Sequence, residues 1–451
     1  MNELFEAAIP SVQKVKFSTL GCRLNQYETQ AIREQFQRAG FEETENSSEA
    51  DVFVLNTCTV TNESDKESRY LIRKFHRMNP DAKIVVTGCY IERNEAEIKN
   101  LSGVTLTVLN RQKSEIVRLL ESCASFSSET FELPSKRAYP RLSISQFEGR
   151  TRAYLKIQDG CNHACSFCKV VLVRGPSRSR ALEEIVDEAK RLINHGYQEI
   201  ILTGIQLGAY GYDLEKHQTL AELLGRLSQI SGMGRIRLSS IEPTDVTDEL
   251  IDVMASWEPV CPQLHIPLQS GSNLILERMN RRYRRDFYLG LIQKIRSRVP
   301  DFVLTTDVMI GFPGEGDREF EETVRVLEET EPYKLHIFPY SPREGTRAAR
   351  FHEVIGPQTV KRRKEALYRL EEKLKRAVQE QYVGQTMEIL AEEVPDISSW
   401  GNGRARNYLQ ARFPLFNRGA VGMFQRIRME RIEDSELIGV LVSSSEQEVM
   451  G

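Results

Sequence analysis

Read for its alternation of apolar and polar positions, the chain falls into successive textures. Between 15 and 123, short β-branched or aromatic runs at 14–20, 51–56, 83–88 and 104–109 each precede a stretch with helical period, over 28–38, 63–77, 92–99 and 113–120. Strand, helix, strand, helix predicts a parallel sheet covered on both faces. Residues 123–149 are rich in Ser, hold two Pro and keep no helical period, and so read as a linker crossing the surface. The strand–helix alternation then repeats six times, with strands expected at 153–158, 199–204, 235–240, 263–269, 303–312 and 334–341. Six units fall short of a closed eight-strand barrel and predict a partial (β/α)6 barrel, with chemistry at the carboxyl ends of its strands. A charged helix over 358–381 follows, whose KRRK at 361–364 reads as a solvated face. Beyond it, short alternating strands with Gly and Pro turns predict a small antiparallel β-barrel. The expected fold class is therefore α/β with a terminal β-barrel, divided as 13–122, linker 123–149, 150–380 and 381–445.

Length and composition agree with this division. A chain of 451 residues suggests roughly three domains. Its net charge of −3 hides local basic segments, so a nucleic-acid partner stays open. The start, MNELFEAAIPS, lacks a basic segment followed by an apolar one, which argues against a secretory signal. No apolar run approaches the length needed to cross a bilayer, so no membrane association is expected. A cytoplasmic location follows, where eight cysteines are ligands or free thiols rather than disulfides.

The cysteines carry the candidate chemistry. GCNHACSFC, residues 160–168, sets Cys161, Cys165 and Cys168 in a CxxxCxxC spacing. Three thiolates that close can hold three corners of a metal centre and leave one open for chemistry. A structural zinc site is the alternative, although the second pair or the histidines that usually complete one do not accompany this motif. Cys22, Cys58 and Cys89 each follow an expected strand of the first domain, 36 and 31 residues apart. That delivers three thiols to the carboxyl rim of one sheet, where a second cluster could sit. Taken singly, each could equally be a small buried hydrophobe. Cys123 and Cys261 receive no role, the latter reading as a packed or surface thiol.

The GCNxxCxFC frame resembles the radical S-adenosylmethionine (SAM) enzymes. TLGCRLNQYET, NTCTVTN and VTGCY resemble the N-terminal domain of one branch of them, the methylthiotransferases. NTCTVTN and the LNQYE after Cys22 are most similar to the branch acting on threonylcarbamoyladenosine at position 37 of tRNA. The resemblance implies a [4Fe–4S] cluster on Cys161, Cys165 and Cys168 that binds SAM and yields a 5′-deoxyadenosyl radical. It implies a second [4Fe–4S] cluster on Cys22, Cys58 and Cys89, linked to sulfur delivery. Phe167 would lie near the SAM adenine. Gly204, Gln269, Ser270, Asp307 and Gly311, in TGIQLG, PLQSGS and TDVMIGFPGE, would line the SAM pocket. Taken alone, each is an ordinary turn residue after a strand. The implied reaction replaces the C2 hydrogen of the adenosine with a methylthio group, SAM supplying both methyl and radical. Implied partners are the tRNA anticodon loop, an electron donor such as a flavodoxin or ferredoxin, and a sulfur source, with the enzyme a monomer. Methylthiolation of isopentenyladenosine in tRNA or of a ribosomal protein stays open, as does a non-catalytic RNA-binding protein with structural metal.

Two segments qualify the resemblance. After Cys168 the family pattern places a Pro-aromatic step, where this chain has Lys169 to Val173 before Arg174-Gly175. Proline fixes φ, so the loop beside the cluster is expected to differ in shape. Between 400 and 431, seven arginines stand against one acid, with Tyr408, Phe413, Phe416 and Phe424 interleaved. Such a mixture suits phosphate contacts and base stacking, and it resembles a TRAM domain, an RNA-binding β-barrel. Arg404, Arg406, Arg412, Arg426 and Arg428 are the candidate RNA contacts.

Overall fold

The computed structural model describes residues 12–125, 139, 141–393, 400–415 and 418–442. The chain divides into two compact units, one of residues up to Ile144 together with Leu172–Arg174, the other of the remainder.

In the first unit five parallel strands, β1 (Lys14–Thr19), β2 (Glu42–Glu43), β3 (Val52–Thr57), β4 (Lys83–Gly88) and β5 (Val104–Val108), lie in the order β2-β1-β3-β4-β5. The period-2 rule explains why β3 reads as one unbroken apolar run. Phe53 and Leu55 enter a core with Ile72, Phe75 and Ile98, while Val52 and Val54 enter another with Ile32, Phe36 and Ile116 on the opposite face. The helix after β3, Asn62–Met78, starts where Thr61 accepts from the Ser64 backbone N–H at 3.2 Å. After a helix over Ile91–Lys99, the unit's last described helix runs Ile116–Ser125, past the expected boundary at 122. Residues 126–138 and 140 of the expected linker lie outside the described residues. Its later part does not simply cross a surface. Leu142, Ile144 and Phe147 are buried, and the Leu142 carbonyl accepts from the Tyr27 hydroxyl at 3.0 Å.

The second unit opens with β6 (Ala153–Lys156) and a short ribbon of β7 (Gln158–Asp159) against β8 (Arg178–Ser179). Strands β9 (Glu199–Thr203), β10 (Arg235–Leu238), β11 (Gln263–His265), β12 (Val303–Ile310) and β13 (Lys334–Pro339) follow, each near an expected position. Parallel ladders join β6-β9-β10 and β11-β12-β13, and parallel bridges Ile236–Val260 and Ser240–His265 connect the two groups. The result is six consecutive parallel strands. Among the described residues no pairing joins β13 back to β6, so the barrel is partial.

The terminal barrel consists of β14 (Thr386–Glu393), β15 (Trp400–Ala405), β16 (Gln410–Pro414), β17 (Phe424–Glu433) and β18 (Glu436–Leu441), closed in the order β14-β15-β16-β18-β17. It is not wholly antiparallel, because β16 and β18 run parallel where they meet. The preceding helix, Pro357–Glu380, is not merely a solvated face either. Arg363 of its KRRK segment is buried and donates to the Glu315 carboxylate at 2.7 Å.

This barrel docks on the amino ends of the central strands through arginine. Arg235 and Arg237, on β10, donate to the backbone carbonyls of Glu388, Arg404, Ala405 and Arg406 at 2.8–3.2 Å. Both guanidinium groups are buried, and Glu199 at the start of β9 neutralises them, bonding Arg237 at 2.7 and 3.0 Å. Burial alone would raise the Glu199 pKa, but the charge and hydrogen bonds of Arg237 prevail and lower it from 4.5 to about 2.

A carboxyl group with a depressed folded-state pKa adds stability above its unfolded pKa and loses it as pH falls through the folded value. Wild-type stability from this group is therefore expected to be complete above about pH 4.5 and to decline toward pH 2. Glu199→Gln is expected to cost about 3–5 kcal/mol at neutral pH by uncovering buried arginine, and to flatten the acid limb. Denaturant unfolding of both proteins between pH 2 and 7 checks this.

Candidate active site

The cysteine loop leaves the carboxyl end of β6 through β7 and turns at Gly160, whose φ is +77°. A side chain there would place its Cβ 1.9 Å from the Pro176 carbonyl oxygen, so glycine is required sterically as well as conformationally. Gly21 and Gly88 also take positive φ immediately before Cys22 and Cys89. Three of the six candidate thiols thus sit on a left-handed glycine turn.

Each thiol of the central loop meets a hydrogen-bond donor. The His163 and Val170 backbone N–H groups point at the Cys161 and Cys168 Sγ atoms at 3.2 and 3.5 Å, and Arg281 Nη1 points at Cys165 Sγ at 3.3 Å. Arg281 is itself buried against Glu242 and the Tyr283 ring. Burial pushes the Cys161 thiol up to about 11 and Cys168 up to about 12. Free thiols so desolvated stay protonated at neutral pH, whereas a bound metal cation would hold them as thiolates. His163 is buried beside them, and one of its ring nitrogens lies 2.9 Å from the Gln206 side chain.

The residues from Lys169 to Val173, where the family's Pro-aromatic step is missing, form most of a short helix, Val170–Arg174. Without proline the backbone N–H groups there are free to bond, and Gly175 ends the turn by donating to the Val171 carbonyl at 3.1 Å.

The expected SAM-pocket residues separate into two groups. Phe167 packs beside Met309, Phe312 and Phe338 in one apolar cluster next to the cysteine loop. Gln269 has φ +61° and a buried side-chain oxygen without a hydrogen-bond partner, an acceptor suited to a ligand. Gly204 closes tightly on the Gln158 side chain, and Gly311 donates its N–H to Glu315 at 2.6 Å. Ser270 is fully buried, and its hydroxyl serves Thr323 and the Ser272 N–H, which fixes the loop. Asp307 lies within β12, where His265 and His336 flank its carboxylate.

In the first unit Cys22, Cys58 and Cys89 follow the neighbouring strands β1, β3 and β4, so parallel pairing brings them to one rim. Cys22 is exposed and Cys58 buried. Arg174, which packs in this unit, donates from Nε to Cys89 Sγ at 3.1 Å. The same guanidinium bonds Asn25 Oδ1 at 2.7 Å and the Glu28 carboxylate, which Lys113 also bonds. Arg174 and Lys113 thus converge on the Glu28 carboxylate next to Cys89. Burial nevertheless pushes that thiol up to about 11, Arg174 lowering it only in part. The sequence motifs assign no role to Arg174, Lys113, Arg281 or His163. The contacts of Arg174 lie 85 to 149 residues away, and Cys165 and Glu242 lie 116 and 39 residues from Arg281.

The arginines of the terminal barrel also divide. Arg406 donates to the backbone carbonyls of Glu258 and Val260, and Arg404 pairs with Glu392 and lies 4.6 Å from the Tyr408 ring. Both are partly buried and turned to partners within the protein. Arg412, Arg426 and Arg428 are exposed, the first and last with Glu436 and Glu430 nearby. Phe413 fills the barrel core, Phe424 is covered by Arg235, and Phe416 lies outside the described residues.

Comparison with known proteins bears on this arrangement. Residues 14–110 match the Uncharacterized protein family UPF0004, and residues 155–327 match the Radical SAM superfamily. A Bacillus subtilis (strain 168) protein named threonylcarbamoyladenosine tRNA methylthiotransferase MtaB is 41% identical over 84% of this chain and 85% of its own length. The chain belongs to the radical SAM methylthiotransferase family. A more distant relative in this family is a tRNA-2-methylthio-N(6)-dimethylallyladenosine synthase of Clostridium botulinum (strain Okra / Type B1), 32% identical over 87% of this chain and 89% of that protein. Among solved structures, the radical SAM methyltransferase TsrM of Kitasatospora setae, with cobalamin and a [4Fe–4S] cluster bound, shares the fold. The TM-score is 0.54 at 15% identity, over 73% of this chain and 75% of that one. Membership implies SAM and a [4Fe–4S] cluster, and the central loop fits both: three donor-facing thiols for iron and the orphan Gln269 oxygen for a polar ligand. No helix among the described residues is long and apolar enough to cross a membrane.

Gly160→Ala is expected to destabilise the second unit well beyond the ~1–2 kcal/mol of a left-handed alanine, because of its contact with Pro176. Gly149→Ala, at φ +65° with open space around it, should show only the conformational part. Denaturant unfolding of the two variants separates these effects.

Proposed function

We propose that this methylthiotransferase places a methylthio group on C2 of N6-threonylcarbamoyladenosine at position 37 of tRNA. The observation that carries the reading is 41% identity over most of both chains to a relative of that name, against 32% to the dimethylallyladenosine synthase. C2 of adenine offers neither an acidic proton nor a leaving group, so acid–base catalysis has nothing to work on. When bound, a [4Fe–4S] cluster with SAM supplies a 5′-deoxyadenosyl radical able to take that hydrogen.

In this reading Cys161, Cys165 and Cys168 hold the cluster, and the backbone N–H groups with Arg281 stabilise their thiolate charge. Gln269 offers its unpaired oxygen to SAM, and Phe167 bounds the adenine side. Cys22, Cys58 and Cys89 hold a second [4Fe–4S] cluster, with the Arg174 guanidinium facing the Cys89 sulfur. Position 37 lies in a loop, so the base can be turned out toward the central thiols without opening a duplex. Arg412, Arg426 and Arg428 meet phosphate elsewhere on the tRNA. An external electron donor, such as a flavodoxin or ferredoxin, and a sulfur source complete the cytoplasmic reaction.

Mass spectrometry of tRNA nucleosides from cells with and without the protein tests the substrate. The methylthio form of threonylcarbamoyladenosine is expected only in its presence; methylthiolated isopentenyladenosine instead would assign the other tRNA substrate. Cys161→Ala is expected to abolish the product. A combined Arg426→Gln, Arg428→Gln variant is expected to bind tRNA more weakly and to flatten the slope of log affinity against log salt by about 1–2. Filter binding across a salt series measures that slope.

A further inference from the structure

On the same unit as the central cysteine loop, β11, β12 and β13 bring together His265, Asp307 and His336. Asp307 Oδ1 lies 2.9 Å from His265 Nε2 and 3.3 Å from His336 Nδ1, and the two imidazole rings are 4.8 Å apart, tilted by 30°. Strand alternation fixes where this group faces. Asp307 and Met309 share one face of β12, as their ladder partners His336 and Phe338 share one face of β13. Met309 and Phe338 belong to the apolar cluster that contains Phe167. The triad therefore sits one strand repeat, roughly 6.6 Å, from the residues bordering the cysteine loop, on the same surface.

Hydrogen-bond accounting identifies the free position. The two imidazoles and the Coulombic pull of their protons overcome burial and hold the Asp307 carboxyl far below its usual range, so it is an acceptor only. Both imidazoles must then donate to it. The other nitrogen of His265, Nδ1, meets the Thr305 hydroxyl at 3.0 Å. The other nitrogen of His336 has no partner among the described residues, and its side chain is 48% exposed. His336 is thus an imidazole whose inner edge is clamped by a carboxylate and whose outer edge is open on the strand face that also carries Phe338.

We propose that His336, held by Asp307 and His265, is a specificity-determining contact for the polar substituent on N6 of the target adenosine. This deepens the threonylcarbamoyl reading and rests on it. A threonylcarbamoyl group carries ureido N–H groups and a hydroxyl, each of which can donate to the outer nitrogen of His336 while the inner N–H is given to Asp307. An isopentenyl group offers none of these and would leave that nitrogen unpaired on a covered surface. A site built to hydrogen-bond its substrate rejects an analogue lacking the group far more strongly than an apolar pocket rejects a smaller one.

The test compares wild-type enzyme, His336→Ala and His336→Gln, all with clusters reconstituted anaerobically. Substrates are tRNA carrying threonylcarbamoyladenosine and tRNA carrying isopentenyladenosine. His336→Ala is expected to lower kcat/KM on the threonylcarbamoyl substrate roughly 10- to 100-fold. His336→Gln, which keeps a hydrogen-bonding group, should recover part of this. Iron and sulfide content and 5′-deoxyadenosine formation from SAM without tRNA should stay at wild-type level, which separates recognition from a structural role. An unchanged preference between the two tRNAs in His336→Ala would overturn the proposal while leaving the substrate reading intact. Equimolar zinc bound by wild type and lost in His336→Ala would also overturn it, by assigning the triad to a metal. Failure of wild type to turn over the threonylcarbamoyl substrate would instead defeat the underlying reading.

Discussion

The direction of the parallel strands is the constraint from which the sites follow. A parallel sheet returns every chain segment to the same end, so whatever follows a strand arrives at one rim. In the first unit this gathers Cys22, Cys58 and Cys89 from three adjacent strands, although up to 36 residues separate them in sequence. In the second unit it sets the GCNHACSFC loop at the carboxyl end of β6. The amino ends of the same strands are left for docking, and the terminal barrel occupies them through Arg235, Arg237 and Glu199.

Arginine has two distinct uses here. At the amino ends Arg235 and Arg237 reach backbone carbonyls with a planar fork and are neutralised by a buried carboxylate, which fastens two layers together. At the thiols Arg174 and Arg281 each present one donor to sulfur while a carboxylate, Glu28 or Glu242, holds the remainder of the guanidinium. That arrangement holds positive charge next to groups that would become anionic if they bound metal. A lysine at either position would lose one of the two contacts, because a single ammonium cannot serve sulfur and carboxylate in fixed directions.

Much of this was legible in the chain. Six central strands, the parallel sheet of the first unit and the closed terminal barrel follow from runs of apolar residues at the period of each element. The glycine–cysteine steps and the CxxxCxxC spacing are local, and local spacing survives folding unchanged. Arginine density near the end does not report which side chains face outward. Arg404 and Arg406 stand in the same basic stretch as Arg426 and Arg428, yet the first two point at partners over a hundred residues away or across the barrel. Composition reports charge but not the direction a side chain takes.

By itself, the sequence determined which elements form and which thiols follow strands, because periodicity and short spacing are properties of neighbouring residues; the chemical class of the cysteine motif came from its resemblance to a known family. Tertiary structure alone decided what stands opposite each thiol, that Ser270 braces a loop, and that Asp307 is clasped by His265 and His336. Those are encounters between strands and loops far apart in the chain, fixed by sheet order and register rather than by any local pattern.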